Sequence, residues 1–217
     1  MYKDKIIQIA CDGGAGTGKS TAAKLISKKY NLKFLSSGLL YRYVSYLILK
    51  YKPKNKIKFI KKKFKKLNHK RLNKINLHTP EISLSSAKFA KLNNIRNILK
   101  EYQLNFSKKH KNCCIEGRDI ATNILPKADI KFFFKCSINI AAKRRFGDLK
   151  KLNPKIKFLN VKKSLRLRNI SDKTRKNSPL LKHRDSIVID TGKLNKFSTI
   201  RKMSVYVEKI LNRKYGN

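Results

Sequence analysis

Acidic residues are scarce in this chain: 12 Asp or Glu stand against 55 Lys or Arg among 217 residues, a formal net charge of +43. Such an excess raises a polyanionic partner, RNA, DNA or an anionic membrane. The lysines, however, are scattered through almost every segment together with Asn and Ile. That is the signature of base composition acting on codons, and scatter argues against one dedicated binding face, so no specific nucleic-acid and no membrane partner is expected. Cysteine is sparse too. Cys11, Cys113, Cys114 and Cys136 form no CxxC pair and lie in or beside apolar strand-like runs, which speaks for reduced core thiols rather than metal ligands. No apolar stretch approaches the roughly 18 residues that span a bilayer. The start MYKDKIIQIAC runs into a glycine loop too soon for a cleavable signal, and a cytoplasmic protein is expected. The four histidines sit in no triad or metal spacing, so a histidine general base is not expected.

What is present is concentrated in GGAGTGKST, Gly13 to Thr21. It follows the apolar run Ile6 to Cys11 and opens the helix-like AAKLISKKY, giving strand, glycine loop, helix. Gly13, Gly18, Lys19 and Ser20 fit GxxxxGK[ST]. That spacing lets the backbone N–H groups of Gly13, Gly14, Ala15, Gly16, Thr17 and Gly18 surround phosphate oxygens at a helix N-terminus, with Thr21 completing the nine residues. Lys19 would then reach the β and γ phosphates, and the Ser20 hydroxyl would be offered to Mg²⁺.

Five strands are expected: 6–11, 32–35, 113–116, 130–135 and 186–190. Their apolar runs are mostly unbroken, as a parallel sheet covered on both faces requires, and helical segments separate them. The fold class expected is an α/β P-loop NTPase fold, a five-stranded parallel sheet with helices on both faces and ligands above the carboxyl ends of its strands. The chain reads as one domain, 1–217, with an insertion over about residues 50–100 and a lid over about 146–176. Residues 50–74 hold 13 Lys or Arg and no acid. Ile57, Ile60, Phe64 and Leu67 recur at helical spacing behind Asn55, a plausible N-cap, which predicts an amphipathic helix with a packed stripe and a solvated lysine face. Residues 68–80 show no clear period. Residues 81–110 read as helix, with Ile82, Leu84, Phe89, Leu92, Ile95, Leu99 and Phe106 available for packing. The stretch 153–163 between two arginine-bearing helices reads as part of the lid.

A P-loop alone fits GTPases, ATPases and small-molecule kinases. There is no NKxD tetrapeptide to read guanine, and the chain is too short for a motor or transporter ATPase. Isolated arginines and Ser/Asp positions instead stand near predicted strand ends, in SSGLLYR (36–42), IRN (95–97), EGRD (116–119) and RNISDKTR (168–175).

With these motifs the sequence resembles the cytidylate kinases, bacterial enzymes that phosphorylate CMP and dCMP with ATP. The family's SGxxYR appears as Ser37, Gly38, Tyr41 and Arg42, and its GRD as Gly117, Arg118 and Asp119. Its lid pattern appears as Arg168, Asp172 and Arg175 before Pro179 and Leu180, and Arg96 matches the arginine of the helix leading toward the third strand. The resemblance implies that Arg42, Arg96 and Arg118 bind the CMP phosphate, where planar guanidinium groups grip oxygen pairs. It implies that Ser37 and Asp119 read the cytosine amino edge and that Asp172 with Arg168 holds the sugar and the transferring group. Lys19, Mg²⁺, Arg118, Arg168 and Arg175 would stabilise the transferring phosphoryl, and no protein base is needed when the nucleophile is a phosphate oxygen. Arg144 and Arg145 are open between ATP-phosphate contacts and a basic helix C-terminus; Asp12 and Asp190 are open between orienting the loop or Mg²⁺ waters and capping. The pattern departs at Ser36 and Glu116, each for a common Asp, at Ser20 for a Gly, and at Ser171 for a lid arginine, where Lys173 or Arg166 stand nearby. The insertion looks short. A monomer acting on ATP and CMP or dCMP is expected. The alternatives are another small P-loop kinase, for UMP, AMP or a non-nucleotide acceptor, and an RNA-binding protein with a relic P-loop.

Overall fold

The computed structural model describes residues 6–151 and 153–216. Leu152, inside the expected lid, and the first five residues lie outside the described residues. The elements run β1 (Gln8–Gly13), α1 (Lys19–Lys29), β2 (Lys33–Ser36), α2 (Ser37–Tyr51), α3 (Lys56–Lys65), a 3₁₀ turn (His69–Lys74), α4 (Pro80–Phe89), α5 (Asn93–Lys109), β3 (Cys113–Gly117), a π-helical turn (Ile120–Ile124), β4 (Ile130–Lys135), α6 (Ile138–Lys150), α7 (Phe158–Thr174), β5 (Ile187–Asp190) and α8 (Lys196–Tyr215). All five expected strands form, with no end displaced by more than two residues.

The strands make one sheet in the order β2-β3-β1-β4-β5. β1 pairs parallel with β3 on one side and β4 on the other, and β4 with β5. The centre of the sheet is dry: every residue of β3 and all but the first of β1 are buried. This is why those runs are apolar without alternation. Ile9, Cys114, Phe132, Phe134 and Ile189 of the sheet pack with Ala23 and Ile26 of α1 and Met203, Val207 and Leu211 of α8 in one cluster. The loops that carry chemistry therefore leave a rigid base at the carboxyl ends of β1 and β3. The four cysteines are free thiols, three of them buried; burial pushes Cys113 up to about 12, as befits core thiols.

The chain divides into two compact units: Leu35–His110, and the residues on either side of it. Within Leu35–His110, α3 forms as the spacing predicts. The Asn55 side chain accepts from Lys58 N at 3.0 Å, Ile60 and Phe64 are buried, and the lysines of the opposite face are exposed. Phe64 meets Tyr102 of α5 edge-on at 5.6 Å. The aperiodic stretch 68–80 holds the 3₁₀ turn, capped by Asn68 on Lys70 N at 3.1 Å.

The single helix expected over 81–110 is two. Thr79 caps α4 through Ile82 N at 3.2 Å, and α5 starts afresh at Asn93. Two consecutive asparagines, whose side chains compete for backbone groups, favour such a restart. The break rotates the apolar stripe, so Ile82, Ile95, Leu99 and Phe106 are buried while Leu84 (66 % exposed) and Leu92 (49 %) face solvent rather than the core. Arg96 closes the corner by donating to Ala90 O at 3.2 Å.

Asn55→Ala removes the cap of an exposed helix and should cost about 1 kcal/mol, read as a lower urea midpoint at unchanged slope.

Candidate active site

The glycine loop leaves β1 under tight constraint. Gly16 has φ 74° and a Cβ there would lie 2.9 Å from Ala141 Cβ and O; a Cβ at Gly13 would lie 2.5 Å from Phe134 O. Only glycine fits either place. Thr17 Oγ1 donates back to Gly14 O at 3.0 Å, and Ala15 N donates to Asn169 Oδ1 of α7 at 3.0 Å. α6 and α7 pack on this loop through Ala15, Ala141, Ala142, Val161 and Leu165.

At the start of α1 the Lys19 ammonium is buried and bonded to the equally buried Glu116 carboxylate of β3. Burial lowers the Lys19 pKa, Glu116 opposes that shift, and Arg118 adds to it. Ser20 and Thr21, next in the helix, are exposed. Among the described residues no three His, Cys, Asp or Glu side chains cluster to hold a metal. The exposed Ser20 hydroxyl beside a phosphate loop suits Mg²⁺, which is held through substrate phosphates and water rather than by a protein cage.

Asp12, the penultimate residue of β1, caps the π-helical turn, accepting from Ile120 N at 2.9 Å and Ala121 N at 2.7 Å. Of its two open readings, capping is the one the bonds satisfy. Burial raises its pKa to about 6, against the pull of those two N–H groups. Asp190 caps a turn, accepting from Gly192 N at 3.0 Å.

Beyond β3 the structure gathers Arg118, Asp119, Arg168, Asp172 and Arg175. Arg118 Nε donates to Asp172 Oδ2 at 2.9 Å, Arg175 Nη1 lies 3.4 Å from Asp172 Oδ1, and Arg168 Nε lies 3.9 Å from Asp172 Oδ2. Arg175 Nη2 stands 3.9 Å from Asp119 Oδ1. Burial would raise the pKa of Asp172, but Arg118, then Arg168 and Arg175, hold it below the usual carboxylate range. Burial, with Arg118 close by, lowers Arg168 to about 10, so it stays cationic at neutral pH. Ser171 is half-buried within this helix, while Lys173 and Arg166 are exposed.

Ser37, Arg42 and Arg96 belong to the unit Leu35–His110. Ser36 caps α2 by accepting from Leu39 N at 3.3 Å, the work an aspartate would do there, and Ser37 is buried in its first turn. Arg42 donates to Leu77 O at 2.9 Å and Ser83 Oγ at 2.7 Å. The Arg96 guanidinium lies over the Tyr41 ring at 5.9 Å, a cation–π geometry.

Of the two readings open for Arg144 and Arg145, the helix C-terminus fails. α6 continues to Lys150, so neither ends the helix and the macrodipole does not account for them. Arg144 instead donates to Thr191 Oγ1 at 3.0 Å and Thr191 O at 2.7 Å, while Thr191 Oγ1 donates to Thr17 O at 2.8 Å. Thr191 thus ties the glycine loop to α6. It had no signal in the sequence, nor had Asn169, since a lone threonine or asparagine matches no spacing. The partnership of Glu116 with Lys19 was equally hidden, joining residues 97 positions apart.

Comparison with known proteins matches this arrangement. A model of the family described as cytidylate kinase covers residues 9–209. The chain belongs to the cytidylate kinase family. It is 34% identical over 216 residues to a cytidylate kinase of Clostridium botulinum, covering 94% of this chain and 98% of that protein. It is 35% identical over 224 residues to one of Mesomycoplasma hyopneumoniae, covering 98% and 96%. Among solved structures, an uncharacterized protein from Eubacterium ventriosum shares the fold at TM-score 0.55 and 16% identity, over 94% of this chain and 99% of that one. Family membership makes the chain a kinase of nucleoside monophosphates, a phosphotransferase with a phosphate group as acceptor. No helix among the described residues is long and apolar enough to cross a membrane.

Lys19→Met leaves Glu116 buried without its closest cation and should cost about 3 kcal/mol; adding Glu116→Leu should recover most of that without restoring activity, as read by urea unfolding. The Asp12 proton is held to about pH 6 in the folded chain and lost near pH 3.9 when unfolded. Its contribution to stability therefore falls as pH rises from about 4 to 6. The gap in unfolding free energy between wild type and Asp12→Asn should shift against the wild type over that window and be flat above it.

Proposed function

We propose that this chain phosphorylates CMP and dCMP with Mg·ATP, giving CDP or dCDP and ADP. The observation that carries the reading is the set of buried carboxylates and guanidinium groups around Arg118, Asp119 and Asp172 beside a P-loop, in a chain of this family.

The glycine loop receives the ATP phosphates through its backbone N–H groups, with Ala15 N–H passing from Asn169 to a phosphate oxygen. Lys19 turns from Glu116 toward the β and γ phosphates. Ser20 would supply a hydroxyl ligand to Mg²⁺, and the bound ion would neutralise phosphate charge. Arg42, Arg96 and Arg118 bind the phosphate of CMP. Ser37 and Asp119 read the cytosine amino edge, and Asp172 holds the ribose. The acceptor is already an anionic phosphate oxygen, so no protein base is required. Arg168 and Arg175 meet the negative charge that spreads over the equatorial oxygens. The hairpin of α6 and α7, as a lid, excludes the water that would otherwise take the γ-phosphoryl group.

The enzyme acts as a monomer in the cytoplasm on free nucleotides, without a nucleic-acid or membrane partner. Ile60 and Phe64 of α3 are buried, so the apolar stripe of that basic helix is used in packing within the chain.

The test is ADP release in a coupled assay with Mg·ATP and CMP, dCMP, UMP, AMP or no acceptor, with the double variant Lys19→Met/Glu116→Leu as blank. CMP and dCMP should stimulate release well above UMP and AMP. Ser20→Ala should raise the Mg²⁺ requirement. Release without any acceptor preference would sink the assignment of Ser37 and Asp119.

A further inference from the structure

Behind Asp119 stands a brace built from Asn123 and Ser178, two residues that belong to no motif quoted above. Asn123 lies in the π-helical turn, with its backbone N–H donating to Asp119 O at 2.9 Å. Its side-chain amide donates twice, to Asp119 Oδ2 at 3.2 Å and to Ser178 Oγ at 2.9 Å. A carboxylate only accepts, so the atom facing Asp119 is the amide nitrogen, and its two hydrogens serve the two oxygens. Ser178 holds φ 49°, a left-handed conformation uncommon outside glycine. The turn is pinned from both sides: Arg175 Nε donates to Ser178 O at 2.8 Å, and Leu180 N donates to Asp172 O at 2.7 Å. The carboxylate of Asp119 is thus approached by Asn123 at one oxygen and by Arg175 at the other.

We propose that Asn123, held by Ser178, is a positioning residue for acceptor selectivity: it fixes the rotation of the Asp119 carboxylate and thereby its power to tell an amino edge from a carbonyl edge. The inference rests on the assignment of Asp119 to the cytosine base. A carboxylate accepts from the exocyclic amine of cytosine and repels the carbonyl that uracil carries at the same place. That discrimination depends on aim, because a carboxylate free to rotate can turn an oxygen away from the wrong base and lose the penalty. Charge alone does not provide aim. Arg175 compensates the charge from 3.9 Å, whereas the Asn123 hydrogen bond sets direction.

Three variants test it, Asn123→Leu, Ser178→Ala and the double, each with KM and kcat for CMP, UMP and ATP and with a melting curve. Asn123→Leu keeps the branching at Cγ and removes the donor. It should lower the CMP-over-UMP ratio of kcat/KM by about five- to tenfold, chiefly through the KM for CMP, with the KM for ATP unchanged. Ser178→Ala should shift the ratio the same way by about twofold, and the double should match Asn123→Leu, since both act through one carboxylate. Equal losses for CMP and UMP, or an unchanged ratio in Asn123→Leu, would overturn the brace while leaving the role of Asp119 standing. Should Asn123→Leu fail to fold, an unchanged ratio in Ser178→Ala overturns it. A wild-type enzyme with no preference for CMP would overturn the cytosine assignment itself, and the brace with it.

Discussion

Cations must be held close together before a substrate brings its own negative charge, and the site depends on how that repulsion is contained. Lys19, Arg118, Arg168 and Arg175 converge near the carboxyl ends of β1 and β3, where they repel one another in a poorly solvated space. The buried acids among the described residues are Asp12, Glu116, Asp119 and Asp172. In a chain with 12 acids against 55 bases, every carboxylate the fold takes out of water is placed in this neighbourhood. Glu116 holds Lys19, and Asp172 is shared by Arg118, Arg168 and Arg175. A buried pair adds little net stability, because desolvation offsets its attraction. What it provides is compensation that lets several cations stay close together in the absence of a substrate.

The sheet makes that arrangement precise. β1 and β3 lie adjacent and buried, with Cys11 in register with Glu116 and Asp12 with Gly117. Lys19 reaches Glu116 because the glycine loop returns the chain over β3 as α1 begins. Asp12 reaches the N–H groups of Ile120 and Ala121 because the turn after β3 starts beside it. Two adjacent parallel strands thus place the phosphate loop and the segment Arg118–Asp119 within one hydrogen-bonded frame.

Much of this was legible in the sequence, for physical reasons that differ from element to element. Unbroken apolar runs announced the buried strands, since a strand covered on both faces has no polar side to show. The glycine loop was legible because its backbone excludes other residues at Gly13 and Gly16. α3 was legible through its stripe and its Asn55 cap. The break between α4 and α5 was not, because Leu84 and Leu92 are apolar wherever they end up, and composition carries no record of the restart at Asn93. Arg144 was misplaced for a related reason. α6 runs on past Gly147 to Lys150, so Arg144 and Arg145 lie in its body. Pairs such as Lys19 with Glu116, or Arg144 with Thr191, join residues far apart in the chain and appear only when the topology brings them together.

The identity of the cations carries a further argument. Lysine outnumbers arginine heavily in this chain, which has 12 arginines among its 55 basic residues, so a plain positive charge is supplied by lysine almost everywhere. Arg42, Arg96, Arg118, Arg168 and Arg175 are all at least partly buried. Each offers several fixed donors that a protein carbonyl or carboxylate already engages or faces: Leu77 and Ala90 for the first two, Asp172 for the rest. A lysine could match the charge in such a place, but not the planar fork that serves one partner within the protein while presenting further N–H groups in a known direction. Lys19 is the exception that fits the rule. In the mechanism proposed above it leaves one anion, Glu116, for another, and a single flexible ammonium on a long stem is suited to that exchange where a rigid fork is not.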